Sequence, residues 1–239
     1  MEIHALFDGL AWLATALIAL ALRRFAGDLL PASRRSSGYL AALIVGGALG
    51  AYGLGTLNTW LAGQPGVSRS IEGALAGAIL AVELYKWRTG LSGRTAALFA
   101  LPLAVGIGIG RIGCFLAGLD DFTYGTPTDL FWGHDFGDGI SRHPVQLYES
   151  AGMALFALAY LWPLLRRDRR TLDNGFALLV LWYGLERFGL EFLKPYPAVF
   201  AGLTVFQIVC VGLVIYALIL LRPKDLPDAR RARDFRAST

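Results

Sequence analysis

The chain has 239 residues, of which 55% are hydrophobic and only 17% charged, whereas soluble domains carry about a quarter charged residues. That balance excludes disorder and an ordinary soluble globule, and it requires a membrane as solvent. Two cysteines without CxxC spacing exclude a disulfide-stapled fold and a cysteine-rich metal framework, and the net charge of +4 is scattered between apolar runs rather than gathered for nucleic acid.

A spanning helix needs about 20 mostly apolar residues, and seven stretches approach this length. They run from Ala5 to Leu22, Tyr39 to Ala62, Ile71 to Trp87, Thr95 to Leu119, Pro144 to Leu165, Gly175 to Leu193 and Val199 to Leu221. Breakers fill the joints: Pro31 with Ser36, Ser37 and Gly38, then Gly63 to Gly66, Gly90 with Ser92 and Gly93, Asp173 with Asn174, and Pro195 with Pro197. The longest joint is a polar loop from Asp120 to His143. The expectation is therefore an all-α polytopic membrane protein, one domain over 1–239, with an outer loop at about 120–143 and a basic tail at about 222–239.

Positive loops stay cytoplasmic. Taken alternately, one set of joints holds 17 Lys and Arg residues, from Arg23 and Arg24 through Lys86 and Arg166 to the tail beginning at Arg222. The other set holds Arg69, Arg142 and Lys194. The N-terminus is thus expected outside and the C-terminus inside. Arg23 and Arg24 follow the first apolar run and no basic residue precedes it, the pattern of a first span rather than a cleaved signal peptide. The tail reads as a topology signal drawn to anionic headgroups.

Ionisable groups inside spans cost at least about 2.5–3.5 kcal/mol each at a helix centre, so each is a functional candidate. Glu72 opens the third span, Arg111 lies in the outer part of the fourth, Glu149 near the outer end of the fifth, and Arg187 and Glu191 in the outer half of the sixth. These five share one depth. Glu83 lies deeper, near Lys86, as a snorkelling or structural partner. Tyr183, Arg187 and Glu191, at i, i+4 and i+8, share a helix face, where a guanidinium is suited to a phosphate. Two guanidiniums against three carboxylates leave an excess of negative side chains.

Arg111 sits in a glycine run that includes Gly106, Gly108, Gly110, Gly113 and Gly118. Such a run either packs helices closely or lets a lipid headgroup approach the backbone; Gly46, Gly47, Gly50, Gly53 and Gly55 repeat it in the second span without a charge. Cys114 reads as a small buried hydrophobe more readily than as a nucleophile. The Asp and His residues of the outer loop lack metal-ligand spacing, so no metal is expected there. His143 ends that loop and precedes Pro144 at the start of a helix, within reach of the polar layer, as a candidate general base.

The segment GRIGCF, Gly110 to Phe115, resembles the GRIGNF signature of the prolipoprotein diacylglyceryl transferase family, and HPVQLYE, His143 to Glu149, resembles its HPSQLYE segment. YGLERFGLEFLKP, Tyr183 to Pro195, is similar to the family's late helix. The resemblance implies a bacterial inner-membrane, multi-pass enzyme that takes phosphatidylglycerol, moves its diacylglyceryl group to the lipobox cysteine thiol of a lipoprotein precursor and releases glycerol phosphate, without a cofactor. By motif, it assigns the lipid phosphate to Arg111, and Arg187 and Glu191 to the same chamber. Gln146, Tyr148 and Glu149, with His143, form its walls. The expected catalytic set is Glu72, Arg111, His143 and Arg187, and the expected substrate-binding set is Gly110, Gly113, Cys114, Gln146, Tyr148, Glu149, Tyr183 and Glu191.

The departures lie mainly in the first half. Where the family has SFHGG with a favoured catalytic histidine, the chain has SIEGA, Ser70 to Ala74, with Glu72 in the histidine's place. FDGL, Phe7 to Leu10, stands for WYGL and brings Asp8 for a tyrosine. Ala48 stands where an arginine is expected, Cys114 replaces the signature asparagine, and the stretch from Gly118 to Gly125 is longer than the family pattern. Three readings remain open: the lipoprotein transferase, a transferase using the same lipid donor with another acceptor, and a phospholipid-binding membrane protein without catalysis or a transporter. Transport sits poorly with charges confined to the outer layer.

Overall fold

The computed structural model describes residues 2–27, 36–64, 66–91 and 96–222. Pro31, Arg34, Arg35, Pro65, Ser92, Gly93, Arg94, the expected start of the fourth span at Thr95 and the tail beyond Arg222 lie outside the described residues.

Each of the seven apolar stretches carries one long helix: α1 (Glu2–Ala26), α2 (Ser37–Leu61), α3 (Ile71–Thr89), α4 (Ala100–Ala117), α5 (Val145–Leu165), α7 (Gly175–Leu190) and α8 (Val205–Leu221). A short α6 (Arg169–Asp173) interrupts the basic joint before α7. Three segments, Ile3–Ala26, Ser37–Leu61 and Ala97–Asp121, are long and apolar enough to cross a membrane, and Val205–Leu221 is a shorter apolar helix. Leu13, Leu17 and Leu20 on α1, Ile44, Val45 and Leu49 on α2, and Ile215, Leu218 and Ile219 on α8 are exposed. Such apolar faces suit lipid and not water.

Helix ends follow local chemistry. Ser70 caps α3, its Oγ accepting from Gly73 N at 3.1 Å, and Gly90 ends the helix at φ 68°. The last long helix begins at Val205, six residues later than the apolar run implied, because Thr204 and Gln207 form a capping box; the preceding residues instead fold back through Phe200 and Leu203.

α2 and α3 form the tightest pair. A Cβ at Gly46 or Gly50 would strike the Gly77 or Gly73 carbonyl, and the reverse holds for Gly73 and Gly77. The glycines of α2 therefore serve backbone-to-backbone packing, although Gly53 faces open space. α3 also touches α8, α8 packs on α7, α7 on α5 and α4, and α4 on α1 and α5. The core between them holds Leu101, Ile107, Met153, Phe156, Leu179, Val180 and Leu213. At the other end of α3, Lys86 Nζ pairs with Glu83 at 2.9 Å and Tyr216 donates to Glu83 at 2.9 Å, so Glu83 is a structural partner there.

Between α4 and α5 the chain makes a small hairpin, β1 (His134–Asp135) against β2 (Ser141–Arg142). Arg142 bonds Asp138 through two contacts of 2.7 Å, which holds the Asp138 carboxyl below its ordinary range. This loop is pinned over the end of α7 by Thr126 N to Leu193 O at 2.7 Å and Tyr196 OH to Phe122 O at 2.8 Å.

Candidate active site

The start of α3, the last turns of α4 and α7, the first turns of α5 and the cap of α8 meet at one level. Glu149, one helical turn after Gln146 on α5, is the hub. Its Oε2 is 2.6 Å from Arg111 Nε, and its Oε1 is 3.0 Å from Arg187 Nη1 and 2.9 Å from Lys194 Nζ. Arg187 Nη1 also lies 2.7 Å from Glu191 Oε2, and Arg187 Nε is 3.3 Å from Glu72 Oε2. Thr204 Oγ1 donates to Glu191 at 2.8 Å and Cys210 Sγ to Glu72 at 3.4 Å. Glu72 and Glu191 are each only 1% exposed, so these charges are held by one another and not by solvent.

All five charges expected at one depth are thus in a single network. Lys194 joins them, although its sequence position reads as a loop cation. Three cations then face three carboxylates, and the expected negative excess is corrected to balance within the network. Glu186 was also missed. Next to Arg187 on α7, it packs its carboxyl against Gly152 of α5, and its Oε1 has no hydrogen-bond partner among the described residues. Its place in an apolar run beside an arginine was a readable signal of cost in lipid.

Other buried polar atoms also stand without a protein partner. Both side-chain atoms of Gln146 and the Tyr183 hydroxyl are buried without a hydrogen bond among the described residues. Such groups normally have partners, so their shared level with the ion pairs marks a place for a polar ligand. The glycines divide. Gly110 is buried, yet a Cβ there would meet nothing within 4 Å; Gly113 is filled by Phe7 of α1, so its expected lipid contact is replaced by helix packing. Cys114 is buried and accepts from Arg111 Nη1 at 3.8 Å.

His143 and Tyr148 stand apart from the ion pairs. The Tyr148 hydroxyl is 3.5 Å from His143 Nδ1 and accepts from Trp132 Nε1 at 2.7 Å. Among the described residues the His143 side chain contacts Tyr148 and makes no hydrogen bond or ion pair with the charged layer. Glu72, in contrast, is in the layer, and its Oε2 faces Arg187 Nε without an aligned hydrogen bond. That oxygen retains a lone pair.

Tyr183 also lines a cavity of about 330 Å³ whose wall follows α3 from Ile71 to Lys86. At 1.5 Å per residue that is about 22 Å of helix. Leu75, Ile79, Val82, Leu103, Ile107 and Leu179 make the wall almost entirely apolar. A charged, ligand-seeking layer therefore caps a long hydrocarbon-like pocket, the two-part surface that a phospholipid presents.

The family model described as prolipoprotein diacylglyceryl transferase matches residues 43–222. A phosphatidylglycerol–prolipoprotein diacylglyceryl transferase of Nitratidesulfovibrio vulgaris is 34% identical over 204 residues, covering 77% of this chain and 74% of the relative. Those of Solidesulfovibrio magneticus and Pseudomonas aeruginosa are each 33% identical, covering 82% and 75% of this chain and 76% and 71% of their own lengths. The chain belongs to the prolipoprotein diacylglyceryl transferase family.

Proposed function

We propose that the protein transfers the diacylglyceryl group of phosphatidylglycerol to the lipobox cysteine thiol of a lipoprotein precursor. The observation that carries this reading is the charged layer above an apolar cavity, with Gln146 and Tyr183 atoms that find no hydrogen bond among the described residues, within the region that matches the family.

One acyl chain enters the cavity and the phosphate approaches the backbone at Gly110, beside Arg111. Arg111 and Arg187 hold the negative charge that develops on the leaving phosphate, while Gln146 and Tyr183 supply hydrogen bonds. The thiol gives its proton to Glu72, and its sulfur attacks the terminal glyceryl carbon. The carbon–sulfur bond forms as the carbon–oxygen bond breaks, and the electron pair leaves on glycerol phosphate. Geometry favours Glu72 over His143 as the proton acceptor because only Glu72 shares the ion network. His143, with Tyr148 and Trp132, then lines the approach of the acceptor.

In the membrane, the seven long helices span with the N-terminus outside and the C-terminus in the cytoplasm of a bacterial-type inner membrane. The distribution of 17 basic residues against three supports this orientation. The outer loop covers the site from the side on which a translocated precursor presents its thiol. Incubating purified protein with phosphatidylglycerol and a lipobox peptide tests the reading by mass spectrometry. The peptide gains one diacylglyceryl group if it holds; release of glycerol phosphate without peptide modification points to another acceptor, and neither product points to lipid binding alone.

A further inference from the structure

Beside Arg111, outside the ion-pair network, side chains from distant segments converge: His4 on α1, Cys114 in the last turn of α4, and Asp121 in the 3-10 turn that follows. One ligand atom from each lies within 4.8 Å of the other two. His4 Nε2 is 3.2 Å from Asp121 Oδ1 and 3.7 Å from Cys114 Sγ. Tetrahedral zinc, with bonds of about 2.0–2.1 Å to nitrogen or oxygen and about 2.3 Å to sulfur, sets neighbouring ligand atoms about 3.3 Å apart for nitrogen and oxygen and about 3.6 Å apart for nitrogen and sulfur. The two spacings from His4, 3.2 and 3.7 Å, are close to two edges of such a tetrahedron, and the third side of the triangle is under 4.8 Å.

A second tier of contacts fixes the same three residues through their other atoms. His4 Nδ1 is 3.2 Å from Asp8 Oδ2, and Asp8 is itself held by Arg69 at 3.3 Å. The Asp121 Oδ2 atom, turned away from His4, accepts from Thr123 Oγ1 at 2.8 Å. Arg111 Nη1 lies 3.8 Å from Cys114 Sγ, which holds the thiol sulfur in place beside the cluster. A carboxylate on the far nitrogen of a ligating histidine and a hydroxyl on the far oxygen of a ligating carboxylate are the outer contacts that orient metal ligands. His4 and Asp121 keep side-chain exposures of 21% and 19%, which leaves an entry path.

We infer that His4, Cys114 and Asp121 form a site for a zinc-class divalent transition metal, with the fourth position open to water or an added thiol. Nothing in the sequence order announces it, since 110 positions separate His4 from Cys114.

The test is a titration of the chelator-stripped, purified full chain in detergent with Co²⁺ alone. The site predicts one equivalent bound, with visible tetrahedral bands and a thiolate-to-cobalt charge-transfer band, both displaced by Zn²⁺. Cys114→Ser removes the charge-transfer band and Cys210→Ala retains it. Asp8→Asn keeps all three ligands and weakens Co²⁺ affinity about 10- to 100-fold. Circular dichroism and gel filtration establish that each variant is folded; should Cys114→Ser not fold, the wild-type and Asp8→Asn titrations decide. Absence of saturable cobalt bands in the folded wild type, persistence of the charge-transfer band in Cys114→Ser, or unchanged affinity in Asp8→Asn overturns the site. These readouts do not depend on transferase activity, so the site and the proposed reaction fail separately.

Discussion

Arg187 is the residue on which the charged layer most depends, because one planar guanidinium meets Glu72, Glu149 and Glu191 at 3.3, 3.0 and 2.7 Å. Removing one partner of a buried ion network strands the others, at a cost of about 3–5 kcal/mol. Arg187→Met should therefore lower thermal stability in detergent strongly, and Arg187→Lys should recover it only in part, since a single ammonium cannot present the same fork; equal melting of Met variant and wild type would contradict the network. Glu72→Gln retains shape and hydrogen-bonding capacity but not basicity. Its turnover should fall at least about 100-fold, the lower range of general-base contributions, while co-purified phosphatidylglycerol stays bound; unchanged turnover would move the proton-accepting role to His143. At this scale the sequence was informative about which residues matter, because a charge in an apolar run is costly wherever it points. It was silent on partners: Lys194 lies just past its span in sequence, yet it turns back onto Glu149, and His143 faces Tyr148 instead of the charges.

Among the elements, the α2–α3 pair is the most constrained. At Gly50 even one methyl group meets the backbone of α3, whereas at Gly53 it meets nothing. Gly50→Ala should destabilise by about 1–3 kcal/mol through overpacking, and Gly53→Ala should be neutral or stabilise by up to about 1 kcal/mol through helix propensity. Thermal unfolding of the two variants side by side checks the contrast. The hairpin between α4 and α5 carries a pH dependence. Arg142 holds the Asp138 carboxyl low, so the hairpin gains from that bond above the unfolded carboxyl pKa of about 3.9 and loses it as pH falls through the lowered native value. Hydrogen exchange in 137–142, corrected for the intrinsic rate, should rise in that acid range, and Asp138→Asn should abolish the dependence. Helix existence was readable from apolar length. The start of α8 was misplaced because Val199 to Leu203 is apolar enough to extend the run; the Thr204 and Gln207 box, visible in the sequence, is what sets the boundary.

For the whole molecule, the decisive feature is that helices distant in sequence enclose one cavity beneath one polar layer. Hydropathy gives segments and basic residues give sides, but neither gives the order in which α3, α8, α7, α5, α4 and α1 pack, and so the cavity had no sequence signal. Its role in lipid recognition is testable without touching a charge. Ala78→Phe places a ring in the space that Ala78 lines; retained phosphatidylglycerol and turnover should both fall while stability stays near that of the wild type. Wild-type levels of lipid and turnover would show that the acyl chain lies elsewhere.

In the proposed reaction the charged layer and the cavity act together to move a diacylglyceryl group from lipid to thiol. A single assay tests it most directly: purified protein, phosphatidylglycerol labelled with one isotope in its acyl chains and another in its headgroup glycerol, and a lipobox peptide. Acyl label on the peptide and headgroup label in free glycerol phosphate should appear at equal rates and in equal amounts. Bound lipid that never yields either product, or headgroup label released without acyl label on the peptide, would contradict it.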